Sequence, residues 1–219
     1  MSDIFQEVDE EVRRDKAAEF WKKHQNLIIG AAALIVLATA GFRYYENSRL
    51  AAEQAAGAAF QQALALDRDG KGAEAEAAMA KLAADAPGGY RTLARLAEAA
   101  IEAKSDPKGA ISAYDALAAD ASIGASFQQA ARLRAALLRL DAGEVEAAKP
   151  ALEALAASGG VYRHTARLAL GVVALNAGDY DGAGKWLDLV AADPEAPEME
   201  KHAAESLLGL VAANRPAAK

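Results

Sequence analysis

The feature that most constrains this chain is a recurrence of about 35 residues through its second half. Gly70, Ser105, Gly143 and Gly178 occupy one position, in steps of 35, 38 and 35. Five residues later stand Ala75, Ala110, Ala148 and Ala183. Four further on come Met79, Tyr114, Leu152 and Leu187, and three beyond those Leu82, Leu117, Leu155 and Val190. Steps of four and three keep one helix face toward a core. An alanine ahead of them suits a close approach of two helices, and a glycine before it ends the preceding helix in a left-handed conformation. A single hairpin of this kind cannot bury its own apolar face, so several must stack. Helix formers dominate the composition and β-branched and aromatic residues are sparse, which leaves little to build a sheet from. The expected fold is all-α, a solenoid of helical hairpins.

The unit at 168–194, LALGVVALNAGDYDGAGKWLDLVAADP, resembles the tetratricopeptide repeat. Leu170-Gly171 sits in its first helix, Gly178-Asp179-Tyr180 forms the turn, Ala183 is the packing alanine and Pro194 closes the second helix. The unit around Asp141-Ala142-Gly143 and Ala148 matches fairly. The first two lack the large aromatic expected early in the first helix. One long helix is expected to run from the N-terminal region through residue 67, with hairpins out to about 193. A closing helix is expected at about 197–213, ending before Pro216.

A second feature precedes the repeats. Residues 27–42, LIIGAAALIVLATAGF, carry no charge, and the uncharged stretch reaches back to a neutral His24. Nineteen residues at about 1.5 Å each span roughly 28 Å, close to the roughly 30 Å of a bilayer core. Phe20 and Trp21 flank one end and Phe42, Tyr44 and Tyr45 the other, as in an interfacial aromatic belt. Arg13, Arg14, Lys16, Lys22 and Lys23 lie before the run, against Arg43 and Arg49 close after it. The positive-inside rule then places the N-terminus in the cytoplasm and the repeats across the membrane. The expected organisation is a cytoplasmic acidic tail over 1–23, a transmembrane helix over 24–45, a repeat domain over 46–213 and a short tail over 214–219. Two other readings stay open. One is a buried core helix, for which the run lacks an amphipathic stripe. The other is a cleavable signal peptide, with Ala38-Thr39-Ala40 as its site and a long acidic leader that argues against it. Ile4, Phe5, Val8 and Val12 recur at helical spacing in the tail, as in an interfacial or docking helix or a solvated lead-in to the anchor.

The formal charge is −7 and no long run of lysine and arginine appears, which argues against nucleic-acid binding. The chain has no cysteine, so disulfides, thiolate nucleophiles and cysteine-ligated metals are excluded. His24, His164 and His202 stand apart, with no neighbours at metal-ligand spacing. Gly88-Gly89 and Gly159-Gly160 lack the lysine and hydroxyl of a phosphate loop and read as turns between hairpins. No catalytic residue, cofactor site, metal site or small-molecule substrate is expected.

A protein-binding groove is the remaining candidate. The first helices of the hairpins carry Arg91 and Arg95, then Arg132, Arg134 and Arg139, then Arg163 and Arg167, with Leu133 and Leu137 among them. Arg91, Arg95, Arg132, Arg163, Arg167, Leu133 and Leu137 are the candidate groove residues, suited to an acidic or C-terminal peptide segment. The competing reading is surface charge paired with nearby acids. Leu140, Leu168, Val172 and Leu175 either face the same groove or lie under the closing helix, and the latter is the expectation.

The whole arrangement resembles the YfgM-like family, the ancillary subunit of the bacterial SecYEG translocon. The stretch GFRYYENSRLAAEQAAGAAFQQAL at 41–64 carries the resemblance most directly, and Gly89-Tyr90 is also similar. What the resemblance implies is a single-pass inner-membrane protein with a periplasmic repeat domain. It would associate with the Sec translocon and with periplasmic chaperones, and handle exported clients. A periplasmic scaffold of the same fold, serving envelope assembly or cell division, is the alternative.

Overall fold

Three of the four expected turn positions are glycines in the left-handed region: Gly70 at φ +78°, Gly143 at +79° and Gly178 at +74°. Each ends a helix in the same way. The amide of Gly70 donates to Asp67 O and that of Lys71 to Leu66 O; the pairs Gly143 to Leu140 and Glu144 to Arg139, and Gly178 to Leu175 and Asp179 to Ala174, repeat it. These are paired closures over the last orphan carbonyls, and an L side chain at the glycine would be strained there. Ser105 cannot take that conformation cheaply, and among the described residues no non-glycine has positive φ. The second hairpin accordingly turns through four residues, 103–106, where the others use three. Asp106 then caps the next helix by accepting from the Gly109 amide at 3.0 Å, with Pro107 in its first turn.

The computed structural model describes residues 3–157 and 159–214, apart from the side chains of 3–12, 15, 17 and 28. Its helices are α1 (Asp3–Arg68), α2 (Gly72–Asp85), α3 (Gly88–Glu102), α4 (Pro107–Ala119), α5 (Ala125–Asp141), α6 (Val145–Ala157), α7 (Arg163–Asn176), α8 (Tyr180–Ala191) and α9 (Glu198–Asn214). A single 3-10 turn, Ala121–Ile123, precedes α5, and no strand occurs among the described residues. The longer middle step of the repeat lies in α5, which has 17 residues against 14 in α7. Gly88-Gly89, read as a turn, forms the first turn of α3, while Gly159-Gly160 lies in the connection before α7.

By its internal contacts the chain divides into Met1–Gln54 and Ala55–Lys219. In the second unit the repeat positions supply the core. Ala75, Ala110, Ala148 and Ala183 are fully buried; Met79, Leu152 and Leu187 are fully buried and Tyr114 nearly so; Leu82, Leu117, Leu155 and Val190 close the set. With the exception of Ala110, they divide into four clusters in series. Each wraps a second helix (α2, α4, α6 or α8) between its own first helix and the next element along the chain. Among the described residues of this unit the core is serial, as expected of a solenoid. Leu168 and Leu175, with Leu207 and Leu208 of α9, pack against the buried cluster that includes Ala204 and Val211 of α9, as expected of a closing helix, whereas Val172 stays exposed and Leu140 packs against the cluster around α6.

In the first unit the apolar run is helical and bare. Leu27, Ile29, Leu34, Ile35, Val36 and Leu37 are all exposed, as are Phe20, Trp21, Phe42, Tyr44 and Tyr45. Beyond the run, Arg43 pairs with Glu46 at 3.4 Å and Arg49 with Glu53 at 2.9 Å along the helix surface. Among the described residues no single helix is long and apolar enough to cross a membrane. Ala18–Leu27 and Ile29–Arg68, meeting at a bend of 42°, qualify together by length and composition. The sequence predicts one uninterrupted span over 24–45, and the bend falls within it. The apolar positions of the tail, Ile4, Phe5, Val8 and Val12, have side chains outside the described set.

Candidate functional site

A cavity of about 520 Å³ opens where first helices of successive hairpins face one another. Leu93, Leu96, Ala97 and Ala100 line it from α3, and Ala130, Leu133, Arg134 and Leu137 from α5. Tyr114 of α4, with Tyr162 and Thr165 at the start of α7, completes the wall. The lining is apolar with few polar groups, the composition of a surface that receives side chains. Tyr114 donates its hydroxyl to Leu96 O at 3.3 Å, and burial pushes its pKa up, so it stays a neutral structural group. Arg134 is the charged residue of the wall. It is exposed and makes no ion pair among those resolved for the described residues.

The structure distributes the candidate residues differently from a single basic groove. Leu133 and Leu137 line the cavity. Arg91, Arg95, Arg132, Arg163 and Arg167 lie outside its lining. Arg95 is bound to Asp120 at 2.6 Å. Arg163 reaches Glu195 at 2.6 Å and Asp193 at 3.5 Å, and Arg167 reaches the same Asp193 oxygen at 3.4 Å. Arg167 also donates to Ala156 O and Leu189 O, each at 3.2 Å, tying α6 and α8 to α7. Arg139 is held by Asp115. Arg91 and Arg132 are exposed.

These pairs follow a rule that the sequence carries and the spacing of arginines alone does not reveal. An aspartate stands fifteen residues after the turn position in the first, second and fourth hairpins, Asp85, Asp120 and Asp193, at the end of the second helix. In the second and fourth it meets an arginine ten or eleven residues before that turn, Arg95 or Arg167, whereas the first has Ala59 and Phe60 there. The pair clasps the second and fourth hairpins shut. In the third hairpin the corresponding position is Ser158 in sequence, and Arg132 is left exposed.

The fourth clasp is the most elaborate. His164, 4 % exposed, places Nε2 at 2.8 Å from Asp193 Oδ2, while the Glu195 amide donates to Oδ1 at 2.9 Å. The His164 hydrogen bond foremost, then the Glu195 amide and the nearby Arg163 charge, hold the Asp193 carboxyl at a pKa of about 2. Asp120 is likewise held at about 2, first by the bond from Arg95 and then by those from Ser122. Both carboxylates are therefore ionised throughout the neutral range, as a clasp requires. Among the described residues no group of three His, Asp or Glu side chains gathers as a metal site would.

The sequence model of the family described as Tetratricopeptide repeat-like domain matches residues 18–159. The match takes in the apolar run and the first three hairpins, and stops before α7. No curated protein and no solved structure matches the chain. Domains of this kind are protein-interaction scaffolds and generally non-catalytic, in keeping with an apolar groove whose surrounding arginines are largely engaged in clasps. With stacked hairpins, buried alanines at each turn and a match over more than half its length, the chain belongs to the tetratricopeptide repeat-like domain family.

Proposed function

We propose that this protein is a membrane-anchored adaptor. Its anchor lies within 24–45, its N-terminus is in the cytoplasm and its repeat domain is in the periplasm, beside the Sec translocon. The observation that carries the reading is the bare apolar run. Six aliphatic residues between Leu27 and Leu37 are all more than half exposed, flanked by exposed aromatics. Such a surface in water would be a large apolar patch, and lipid is the solvent that suits it. The family match beginning at residue 18 supports treating the run and the repeats as one unit. The cation asymmetry across the run supports the orientation. The resemblance over 41–64 supports the translocon and its chaperones as partners, and the groove at Leu133, Arg134 and Leu137 is where an exported client segment would dock.

The chain contains no cysteine, so topology can be read with single introduced thiols. In spheroplasts, an impermeant maleimide should label Ser126→Cys and spare Ser2→Cys; the reverse pattern overturns the orientation. Purification in mild detergent should recover translocon components. Recovery of envelope-assembly or division machinery without them would replace the translocon reading by the scaffold one.

A further inference from the structure

The wall of the groove limits what can fill it. Leu133 and Tyr114 of the lining are buried, while Leu93 and Arg134 are exposed. The helix faces that carry the lining begin at Leu93, Ala130 and Thr165 on α3, α5 and α7. They run in steps of four, three and four to Lys104, Asp141 and Asn176. The charges on these stripes are Lys104, Arg134 and Asp141. Lys104 is held by Asp67 at 2.7 Å, and Asp141 is the last residue of α5; both stand outside the lining. Arg134 is therefore the cation that an occupant of the cavity meets, exposed and in no ion pair among those resolved for the described residues. Its charge reaches the Tyr114 hydroxyl, whose pKa it lowers against the larger upward push of burial.

A bound segment must satisfy its own backbone, because amides and carbonyls buried without partners oppose binding. The lining gives it little help. The lining residues of α3 and α5 lie within their helices, so their amides are committed four residues back. No asparagine or glutamine stands in the lining, and the Tyr114 hydroxyl is already given to Leu96 O at 3.3 Å. Tyr162 and Thr165 both stand at the start of α7. No strand occurs among the described residues, so an extended segment has no ladder to join. A helix brings its backbone hydrogen bonds with it, and it presents side chains at the same steps of three and four as the wall.

We propose that the groove receives the apolar face of an amphipathic helix, with one carboxylate beside that face placed on Arg134. The inference rests on the reading that a client segment docks in this groove, and adds the conformation and charge of that segment. Charge complementarity selects the acid: the lining holds no carboxylate, so Arg134 lacks a counter-charge there and would repel a basic helix. The apolar lining selects the rest of the face, whose side chains enter between Leu93 of α3 and Leu137 of α5.

The test uses the full-length chain in phosphatidylcholine nanodiscs and fluorescence anisotropy of labelled model peptides, with binding to empty discs subtracted. The first peptide is a stapled helix of alanine, glutamine and leucine, its leucines on one face and a single glutamate beside them, acetylated and amidated so that no terminal charge remains. A second carries lysine in place of the glutamate. A third, unstapled, keeps the glutamate and has a pair of prolines that forbid the helix. The glutamate helix should bind the parent, and the proline peptide about tenfold more weakly or worse. Arg134→Glu should weaken the glutamate helix about tenfold and reverse the preference, so that this variant favours the lysine helix. That reversal separates a contact at Arg134 from damage to the fold. Equal binding of the proline peptide overturns the helical occupant and leaves the groove as a docking site. Binding indifferent to Arg134→Glu, with no reversal, overturns the carboxylate contact. If neither the glutamate helix nor the proline peptide binds the parent, the docking reading of the groove falls, and this inference with it.

Discussion

Replacing Gly171 by alanine tests the packing logic of the repeat at its tightest point. A methyl built there meets Leu187 Cδ2 at 2.7 Å and Cγ at 2.8 Å. Carbon contacts are comfortable near 3.5–4.0 Å, so the overlap is about 1 Å. Leu187 is fully buried, and its Cγ as well as its terminal Cδ2 lies in the overlap, so turning the end methyls alone does not relieve it. Overpacking of this kind costs about 1–3 kcal/mol, while alanine in a helix interior returns about 0.5–1 kcal/mol relative to glycine. The expected net loss is about 0.5–2 kcal/mol. Gly184, on the facing helix, is the internal control. Its added methyl has Val211 Cγ1 as nearest neighbour at 3.8 Å, an ordinary contact. Gly184→Ala should therefore stabilise by about 0.5–1 kcal/mol. The assay is urea unfolding followed by Trp186 fluorescence in a Trp21→Phe background, since these are the two tryptophans and Trp186 adjoins Leu187. The midpoint should fall for Gly171→Ala and rise for Gly184→Ala. With Leu187→Ala in place the penalty at 171 should vanish, because the atoms it clashes with are gone. A midpoint for Gly171→Ala at or above the parent's would refute the argument.

The clasp at Asp193 makes a prediction in pH. Its carboxyl is held near 2 in the fold against an ordinary 3.8, so its contribution is present above about pH 4 and fades as pH falls toward 2. The stability gap between parent and Asp193→Asn should close as pH falls through that interval; a gap unchanged at pH 2.5 would contradict it. Leu152→Ala empties a fully buried position between α5 and α7 and should cost about 2–5 kcal/mol in denaturant unfolding. Leu34→Arg, within the apolar run, should lower membrane insertion by about 2.5–3.5 kcal/mol on a glycosylation-reporter assay, and unaltered insertion would count against the anchor. Arg134→Glu with Leu93→Glu, both exposed on the groove wall, should weaken suppression of client aggregation several-fold while leaving thermal unfolding of the repeats within a few degrees of the parent's, and equal suppression would remove the groove from the mechanism.

Sequence by itself determined the repeat and its interior. The positions at five, nine and twelve residues after each turn are buried because helical periodicity is local, and a residue's face is set by its spacing from its neighbours. The left-handed glycines were legible from the turn positions, whereas Ser105 was read as equivalent to them and the structure shows a longer turn there, because its side chain disfavours their conformation. The bare apolar run was legible as composition, though its bend was not. What only the tertiary structure decided is the fate of the arginines and the location of the groove. Arg95, Arg163 and Arg167 find partners 25 to 32 residues away, across a hairpin, and a charge takes its meaning from what stands opposite it. The groove draws Leu93, Leu133, Arg134 and Thr165 from three first helices that never adjoin in sequence. Its wall mixes buried residues, Leu133 and Tyr114, with exposed ones, Leu93 and Arg134, so a burial pattern alone does not single it out, and only the stacking of one hairpin on the next brings it together.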